Sequence, residues 1–253
     1  MKRDNIYQYI QKKRGEGKQL IAVLIDPDKQ ATSELAGIVA IIEAYADIIL
    51  VGGSLLLRDR FDACISTVKS LTSLPVVIFP GSPQQISSNA DAILLLSLIS
   101  GRNPDLLIGQ QVIAAPLIKE SGIEVLSTGY ILVESGRQTT ASYISQTIPM
   151  PAHKPEIAAC TALAAEQLGM KLIYLDGGSG ALNPVPGKMI ATVRKTIDIP
   201  LIVGGGIKTA EQAAIACNSG ADVVVVGTAF EENTHVLKSI SEMVRRPVKT
   251  VIN

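Results

Sequence analysis

Three apolar runs that each end in a glycine-rich turn decide the fold of this chain: LIYLDGGSG at residues 172–180, LIVGGGI at 201–207 and VVVVGT at 223–228. Continuous apolar runs, without alternation of apolar and polar residues, are typical of strands buried on both faces of a parallel sheet. The stretches between them, 188–196 and 210–219, carry apolar residues at helical spacing. The pattern predicts repeated units in which a strand, a glycine turn and a helix follow one another.

The same alternation extends back to the start of the chain. Strands are predicted at 20–25, 48–51, 76–79, 92–97, 125–133, 172–175, 201–203 and 223–226. Helices are predicted at 32–45, 54–71, 105–121, 154–168, 188–196, 210–219 and 232–245, with a short candidate at 83–89. This favours the α/β class: a single (β/α)8 TIM barrel over residues 1–253, with an N-terminal helical extension and a modified short segment after strand 3. A doubly wound sheet is the competing fold.

Composition excludes several classes of protein. The 23 Lys and Arg residues balance 23 Asp and Glu residues, which argues against a protein that grips nucleic acid by bulk charge. Mean hydropathy is +0.32, yet the longest apolar runs, 93–99 and 223–226, are far shorter than the ~20 residues that cross a bilayer. The N-terminus lacks the apolar stretch of a secretory signal, and the 3 cysteines form no metal-binding or disulfide pattern. A cytoplasmic protein is expected.

The three glycine turns form the first candidate site. Glycine lets backbone N–H groups approach an anion without a Cβ in the way, and amides at the start of a helix favour phosphate further. The late turns of a barrel meet at one face, where phosphate sites are common. The candidate phosphate-binding residues are Tyr174, Leu175, Asp176, Gly177, Gly178, Ser179, Gly180, Gly204, Gly205, Gly206, Gly227 and Thr228. The alternative is that these glycines only form turns.

A second candidate site follows the first two strands. Asp26 ends strand one in the stretch LIDPDK, and Ser54 ends strand two in the stretch GGS. Mg²⁺ favours one or two carboxylates together with substrate phosphate oxygens, so Asp26 and Ser54 are candidate metal ligands. Each has a structural alternative, because Asp26 can cap the turn at Pro27 and Ser54 can cap the next helix. Spacing alone does not separate these interpretations.

Asp176 and Tyr174 are the candidate catalytic residues. Side chains alternate along a strand, so both can point to one side and Leu175 to the other. A carboxylate beside a bound hydroxyl is a candidate general base, whereas Tyr174 has the alternative of a residue in the barrel's inner layer. The segment at 130–153 is long for a connection between a strand and a helix, and it predicts an elaborated active-site loop.

Seven motifs, in this order, carry a family resemblance: IDPDK, VGGS, FPGSPQQIS, LSTGYILV, YLDGGSGA, GGGI and VVGTAFE. Together they span nearly the whole chain and closely resemble the geranylgeranylglyceryl phosphate synthase family, which includes the heptaprenylglyceryl phosphate synthases. GGGI and VVGT occur in many phosphate-binding barrels, whereas the combination with IDPDK, FPGSPQQ and YLDGGSGA is specific. The chain is most similar to the larger, archaeal-like branch of that family.

The resemblance implies a Mg²⁺-dependent (β/α)8 prenyltransferase. Such an enzyme joins the 3-hydroxyl of sn-glycerol 1-phosphate to C1 of a long allylic diphosphate, here expected to be geranylgeranyl diphosphate, and releases diphosphate. It implies Mg²⁺ at Asp26 and Ser54, glycerol phosphate at the three turns, and a role for Asp176 in orienting or deprotonating the hydroxyl. The prenyl tail would lie in an apolar groove with walls in the middle of the chain, including residues 130–143.

The resemblance also carries expectations about partners, and the chain departs from the family at two positions. We expect a homo-oligomer, either a dimer or a hexamer, with no nucleic acid partner and with at most peripheral membrane contact during product release. The family often has Glu where this chain has Asp176, which is shorter by one methylene. Some members have Lys where this chain has Leu24, so a phosphate contact of that branch is missing here.

Two alternatives remain open on the sequence. One is another phosphate-binding barrel, such as an isomerase or synthase of histidine or tryptophan biosynthesis or a sugar-phosphate epimerase, which would leave Asp26 and Ser54 unexplained. The other is a non-catalytic barrel that binds a phosphorylated lipid or metabolite. Turnover of a prenyl diphosphate with Mg²⁺ separates both from a prenyltransferase.

Overall fold

Parallel strands close into a barrel in the computed structural model, which describes residues 5–245. The strands are β1 Leu20–Ile25, β2 Ile48–Val51, β3 Val76–Ile78, β4 Ala92–Leu98, β5 Glu124–Leu132, β6 Leu172–Asp176, β7 Leu201–Gly204 and β8 Val223–Val226. Each pairs with its neighbours along the chain, and β8 pairs with β1 to close the ring. The predicted barrel is confirmed. A single domain over 1–253 stays a prediction, since residues 1–4 and 246–253 lie outside the described part.

The helices surround the strands. In the described part of the chain they are α1 Ile6–Gly15, α2 Leu35–Tyr45, α3 Phe61–Leu71, α4 Gln110–Ser121, α5 Thr140–Ser145, α6 Pro155–Gln167, α7 Gly187–Arg194, α8 Ala210–Asn218, α9 Thr228–Glu232 and α10 Val236–Val244. A π-helical turn, Asp105–Gly109, leads directly into α4. Most of the helices connect successive strands, as the (β/α)8 architecture requires.

Each strand buries both of its faces, which explains the continuous apolar runs in the sequence. In β8, Val223 and Val225 belong to the cluster inside the barrel, whereas Val224 and Val226 pack against the outer helices. None of the four is more than 4% exposed. Burying a Val, Leu or Ile side chain stabilises a fold by about 1.5–3 kcal/mol, so an inner and an outer apolar layer together hold the barrel.

Helix α1 covers one end of the barrel. Ile6 and Ile10 join the interior cluster together with Leu20 at the start of β1. Glu124, at the start of β5, accepts hydrogen bonds from the backbone N–H groups of Ile6 (2.5 Å) and Tyr7 (3.0 Å). A carboxylate at a helix N-terminus satisfies donors that have no partner within the helix. The predicted N-terminal helical extension is confirmed, and it lies at the end where the strands begin.

The predicted short helix at 83–89 is wrong. Turns follow β3 instead, as expected for a modified segment after strand 3. The side chain of Gln85 is buried; its carbonyl accepts from the Gly81 N–H (3.1 Å) and its amide donates to the Gly53 carbonyl (3.0 Å). These two bonds hold the segment against the turn after β2 in place of a helix.

The predicted helix at 54–71 begins later than expected. Helix α3 starts at Phe61, and the residues before it run along the carboxyl ends of the strands. The backbone N–H of Leu57 donates to the Asp28 carboxylate (2.5 Å), which ties this stretch to the turn after β1. The apolar residues at 55–57 resembled a helix face in the sequence, but two of them line a cavity.

The predicted helix at 232–245 begins later than expected, as α10 at Val236. Glu232 instead ends α9, a separate helix that starts at Thr228. Between them Asn233 has an extended backbone (φ −153°), and its side chain accepts a hydrogen bond from the His235 N–H (3.0 Å). Within residues 5–245 no helix combines the length and the apolar character that a membrane crossing requires.

Candidate active site

A cavity of about 460 Å³ lies at the carboxyl ends of the strands. It brings together eleven of the fourteen predicted site residues: Asp26, Ser54, Tyr174, Asp176, Gly178, Ser179, Gly180, Gly205, Gly206, Gly227 and Thr228. The other three are Leu175, Gly177 and Gly204, which do not line it. Leu175 packs in the outer apolar layer, as strand alternation predicted. Both predicted sites therefore open into one space.

The turns after β6 and β7 pack backbone against backbone at one end of this cavity. The Gly177 N–H donates to the Gly204 carbonyl (3.0 Å). A Cβ at Gly205 would lie 2.5 Å from Oδ1 of Asp176 and 2.6 Å from the amide nitrogen of Gly178, so no side chain fits there. Gly205 also has φ +76°, a left-handed conformation that other residues rarely adopt. Glycine is required here by both space and conformation.

Several backbone amides of these turns have no acceptor in the described part of the protein. They are the N–H groups of Ser179, Gly180, Gly205, Gly206 and Thr228, all from residues that line the cavity. Ser179 is exposed and the other four residues are partly exposed, so these donors are open to water or to a ligand. Unpaired N–H groups on neighbouring turns can bind an anion with several acceptor oxygens, such as a phosphate.

Asp176 is buried and holds the turn that follows it. Its Oδ1 accepts from the Gly178 N–H (2.8 Å), and its Oδ2 accepts from the Tyr130 hydroxyl (2.5 Å). Burial raises the pKa of Asp176, and the two hydrogen bonds oppose that rise. Burial and the neighbouring carboxylate raise the pKa of Tyr130 well above its usual range. Asp176 is thus a buried, more basic carboxyl, fixed in orientation by Tyr130.

Tyr174 forms the cavity floor with two other aromatic residues. Its ring stacks on Phe79 with centroids 5.1 Å apart and meets Tyr130 edge-on at 5.5 Å. It belongs to the interior cluster, as the inner-layer interpretation predicted, and it also lines the cavity. A Cβ at Gly204 would lie 2.4 Å from the Tyr174 hydroxyl oxygen, so that glycine makes room for the ring.

Asp26 lies at another part of the cavity wall, where the turns after β1 and β2 meet. Its Oδ1 accepts from the Asp28 N–H (3.0 Å), and its Oδ2 lies 3.7 Å from Nζ of Lys29. A Cβ at Gly53 would lie 3.3 Å from both carboxylate oxygens, so the β2 turn approaches Asp26 closely. Ser54 follows Gly53 and lines the same wall.

The third part of the cavity is apolar. Its walls come from β4, from the π-helical turn and α4, and from the end of β5 and the segment after it: Leu95, Leu96, Leu98, Leu106, Ala114, Ile118, Leu132, Ala141 and Ile144. The long segment at 130–153 carries α5, and the N-cap of that helix, Thr139, packs on the β6 turn: a Cβ at Gly178 would lie 2.6 Å from its hydroxyl. This segment therefore forms both an apolar wall and a support for the polar end.

A protein-family comparison identifies the chain. Residues 10–245 match the PcrB family. The chain belongs to the PcrB family. Relatives of known name cover almost its full length: geranylgeranylglyceryl phosphate synthase of Spirosoma linguale is 52% identical over 237 residues (93% of this chain, 95% of the relative), and that of Chitinophaga pinensis is 48% identical over 242 residues (95% and 96%).

Solved structures agree with the sequence relatives. The (S)-3-O-geranylgeranylglyceryl phosphate synthase of Thermoplasma acidophilum, crystallised in complex with its substrate sn-glycerol-1-phosphate, superposes with a TM-score of 0.90. It is 34% identical, and the alignment covers 95% of this chain and 98% of that one. The resemblance seen in the sequence is confirmed. This PcrB-family chain is an enzyme, a prenyltransferase of the geranylgeranylglyceryl phosphate synthase type.

The donor set around Asp26 fits a magnesium ion in this PcrB-family enzyme. Within residues 5–245 no three His, Cys, Asp or Glu side chains cluster as a ready metal cage. Oδ1 of Asp28, two residues from Asp26, is buried and has no hydrogen-bond partner in that part of the chain. Mg²⁺ is typically held by one or two carboxylates and completes its shell with water and substrate phosphate oxygens. The site offers only a few protein oxygens and lies beside a cavity for anions, which is the arrangement that Mg²⁺ prefers.

Sequence reasoning missed three functional neighbours in the PcrB-family site. Tyr130 was predicted to begin the long segment and to belong to the groove wall at 130–143, but not to contact Asp176. The parallel register Tyr130↔Tyr174 is the signal that would have found this contact. Gln85 and Lys29 lie within the quoted motifs, but neither was given a role. Each acts through a contact with a distant turn, which linear spacing does not reveal.

Proposed function

We propose that this enzyme transfers the geranylgeranyl group of geranylgeranyl diphosphate to the 3-hydroxyl of sn-glycerol 1-phosphate, with Mg²⁺ as cofactor. The supporting observation is the cavity itself, in which unpaired amides of the β6, β7 and β8 turns share one space with Asp26 and with an apolar compartment. The named relatives and the Thermoplasma complex with sn-glycerol-1-phosphate support the same assignment.

The acceptor phosphate would bind the unpaired N–H groups of Ser179, Gly180, Gly205 and Gly206, with Thr228 contributing from the β8 turn. Amide donors recognise a phosphate without placing a fixed positive charge in the cavity. With the phosphate held there, the glycerol 3-hydroxyl extends towards the cavity centre. Holding both reactants in one space converts a bimolecular step into an effectively unimolecular one.

The proposed step exchanges one bond for another. The oxygen of the 3-hydroxyl forms a bond to C1 of the prenyl group, while the bond from C1 to the diphosphate breaks and diphosphate leaves with the electron pair. The hydroxyl proton passes to the carboxylate of Asp176. Tyr130 holds this carboxylate in orientation, and the ring of Tyr174 forms the surface beneath the reacting atoms.

Asp26 and Ser54 would hold Mg²⁺, with Asp28 as an additional oxygen nearby. The bound ion supplies neutralisation of the charge that develops on the departing diphosphate. The prenyl tail would lie among the aliphatic side chains of β4 and α4 and against Ile144 of α5. A dimer or hexamer, a cytoplasmic location and peripheral membrane contact during product release remain part of this proposal, while no nucleic acid partner is expected.

The deciding experiment offers radiolabelled sn-glycerol 1-phosphate or its enantiomer together with prenyl diphosphates of 15, 20 and 35 carbons, with Mg²⁺ or with EDTA. We expect an organic-extractable product with the sn-1 enantiomer and the 20-carbon donor, and no product in EDTA. Absence of product with every donor would refute transfer and leave a phosphate-binding barrel. Preference for a 35-carbon donor would correct the substrate and keep the reaction.

Asp26→Asn provides the matched test of the metal assignment. The amide keeps the shape of the side chain and removes its charge, so we expect loss of Mg²⁺-dependent turnover while glycerol phosphate still binds. If activity and its Mg²⁺ dependence survived almost intact, Mg²⁺ would have to bind elsewhere.

A further inference from the structure

Lys29 links two neighbouring parts of the cavity wall, the turn after β1 and helix α9 after β8. Its Nζ lies 2.9 Å from Oε2 of Glu231 in α9 and 3.7 Å from Oδ2 of Asp26. The side chain of Lys29 is 44% exposed, whereas those of Asp26 and Glu231 are 17% and 14% exposed. All three residues line the cavity. An ammonium group is thus held at the cavity wall, between the metal-binding side and the β8 turn.

The charges in the cavity do not balance those of the substrates. Three carboxylates, Asp26, Asp176 and Glu231, line it in the described part of the chain, against two ammonium groups, Lys29 and Lys208. A diphosphate and a phosphate together add several negative charges, while the backbone amides are neutral donors. One Mg²⁺ ion compensates only part of that negative charge. A cationic side chain beside the diphosphate would reduce the remaining excess.

The two lysines lie on different turns of the cavity. Lys208 follows the glycine turn after β7, on the acceptor side of the cavity. Lys29 lies next to Asp26, the proposed metal ligand on the donor side. The Lys29–Glu231 ion pair adds little to the stability of the fold, because partly exposed ion pairs typically contribute at most about 1 kcal/mol. An ammonium group has three N–H donors, and Glu231 uses one of them.

We propose that Lys29 binds the diphosphate of the prenyl donor directly, and that Glu231 is a positioning residue that aims its ammonium group. This inference rests on the proposed function, since it assigns the donor's diphosphate to that cavity. As the C1–oxygen bond breaks, negative charge grows on the departing diphosphate. A charge-assisted hydrogen bond from Lys29 strengthens as that charge grows. Lys29 therefore lowers the barrier as well as aiding binding.

The test measures binding of inorganic diphosphate by calorimetry, in EDTA and in Mg²⁺, so that it does not depend on turnover. We expect Lys29→Met to weaken diphosphate binding by about tenfold or more in both conditions. Lys29→Arg keeps the charge and should stay within about threefold of wild type. Lys238→Met, an exposed position on α10, is the matched control for loss of one charge and should leave the affinity unchanged.

A double-mutant cycle tests the role of Glu231. Glu231→Gln alone should raise the KM for the prenyl diphosphate more than it lowers kcat, and in a Lys29→Met background it should have no further effect, because the two residues act as one unit. The KM for glycerol phosphate should not change. Additive effects of the two substitutions would refute positioning by Glu231.

Two outcomes overturn the inference. One is wild-type diphosphate affinity in Lys29→Met; the other is an equal loss in Lys238→Met, which would indicate a general charge effect. Failure of the proposed transfer reaction is a separate result, because it would appear as absent product in the wild type while the binding of diphosphate still responded to Lys29.

Discussion

Gly205 is the single residue on which the anion end of the cavity depends most. Its backbone has φ +76°, and a Cβ there would lie 2.5 Å from Oδ1 of Asp176. Gly122 has nearly the same conformation (φ +70°) but no atom within 4 Å of the position of a Cβ. The two positions separate the cost of a left-handed backbone from the cost of a collision within the site.

We predict that Gly205→Ala destabilises the protein by about 1–3 kcal/mol more than Gly122→Ala does, since only the first adds a collision to the backbone strain. The KM for glycerol phosphate should rise in Gly205→Ala alone, because the β6 and β7 turns must move apart. Urea unfolding and steady-state kinetics of both variants provide the measurement. Equal behaviour of the two alanine variants would show that the turns adapt without loss.

The hydrogen bond between Tyr130 and Asp176 predicts a shifted pH profile. Burial raises the pKa of Asp176, and the Tyr130 hydroxyl lowers it. Tyr130→Phe removes that lowering, so we predict that the acid limb of the kcat/KM profile moves to higher pH. Hydrogen bonds to charged groups typically contribute about 1.5–3 kcal/mol, so kcat/KM should fall at least about tenfold near neutrality.

The free energy of unfolding should also depend on pH through the Asp176 carboxyl. Because the folded pKa of Asp176 is raised, the folded state binds a proton at higher pH than the unfolded state, and that contribution is lost as pH rises through the raised pKa. Tyr130→Phe should therefore be most destabilised above that range and approach wild type as pH falls towards the ordinary value of 3.8. Tyr143→Phe, 68% exposed, is the control. A pH profile that coincides with wild type would exclude this role for Tyr130.

At the scale of elements, local patterns predicted the strands and the glycine turns correctly. The run Val223–Val226 is buried on both faces, so its four consecutive apolar residues correctly predicted a strand. Asp26 and Ser54 were expected at one rim because each follows a strand of the barrel, and both line the cavity there. In these places the chemistry of a few consecutive residues was sufficient.

The wrong helix predictions fall where an apolar or polar side chain contacts another turn instead of a helix neighbour. The stretch at 54–60 has apolar residues that face the cavity instead of a helix interface, so its pattern resembled a helix start. Gln85 lies in a predicted helix, but its side chain binds backbone groups of Gly81 and Gly53. Contacts between turns of different strands determine these features, so the spacing of residue types along the chain does not predict them.

Helix α1 provides a test of the end of the barrel that lies away from the site. Ile10 is 3% exposed inside the barrel cluster. Ile10→Ala should lower the free energy of unfolding by about 2–4 kcal/mol, because it leaves a cavity in a packed layer. Ile157→Ala, 47% exposed on α6, should cost less than about 0.5 kcal/mol.

The kinetic result of Ile10→Ala distinguishes structure from function. We expect kcat and both KM values of the folded fraction to remain near wild type, since the reaction takes place at the opposite end of the strands. Urea unfolding gives the free energy of unfolding, and steady-state kinetics at urea concentrations below the unfolding midpoint give kcat and the KM values. A large change in KM without loss of stability would mean that α1 communicates with the site.

At the scale of the whole molecule, a net charge of zero gives no sign of the proposed anion site. The 23 basic and 23 acidic residues argue against binding nucleic acid by bulk charge, which stays a prediction, and a charge count does not register neutral backbone amides. The high apolar content has two sources in the structure. One is the pair of layers around the strands, and the other is α4, which is apolar on both its inner and outer faces.

The outer face of α4 is the apolar surface that we propose a second copy of the chain covers. Val112, Ile113 and Leu117 of α4, together with Ile108 of the preceding π-helical turn, are each more than half exposed, and residues 106–118 contain no charged side chain. A helix that is apolar all round is normally buried. Helices that lie on membranes carry Lys and Arg on their polar face, whereas the cores of protein interfaces are depleted of charge. The composition of α4 therefore favours self-association over a lipid surface.

The double variant Val112→Asp/Ile113→Asp tests this assignment, because two carboxylates at the centre of an interface would each lose water without a partner. We predict that the wild type sediments as a dimer or hexamer at micromolar concentration and that the variant shifts to the monomer. Ile215→Asp, 55% exposed on α8, is the matched control and should keep the wild-type mass. A monomeric wild type, or a variant of unchanged mass, would show that the outer face of α4 is not a self-association surface. Flotation of the wild type, but not the variant, with neutral lipid vesicles would then assign that face to the membrane contact.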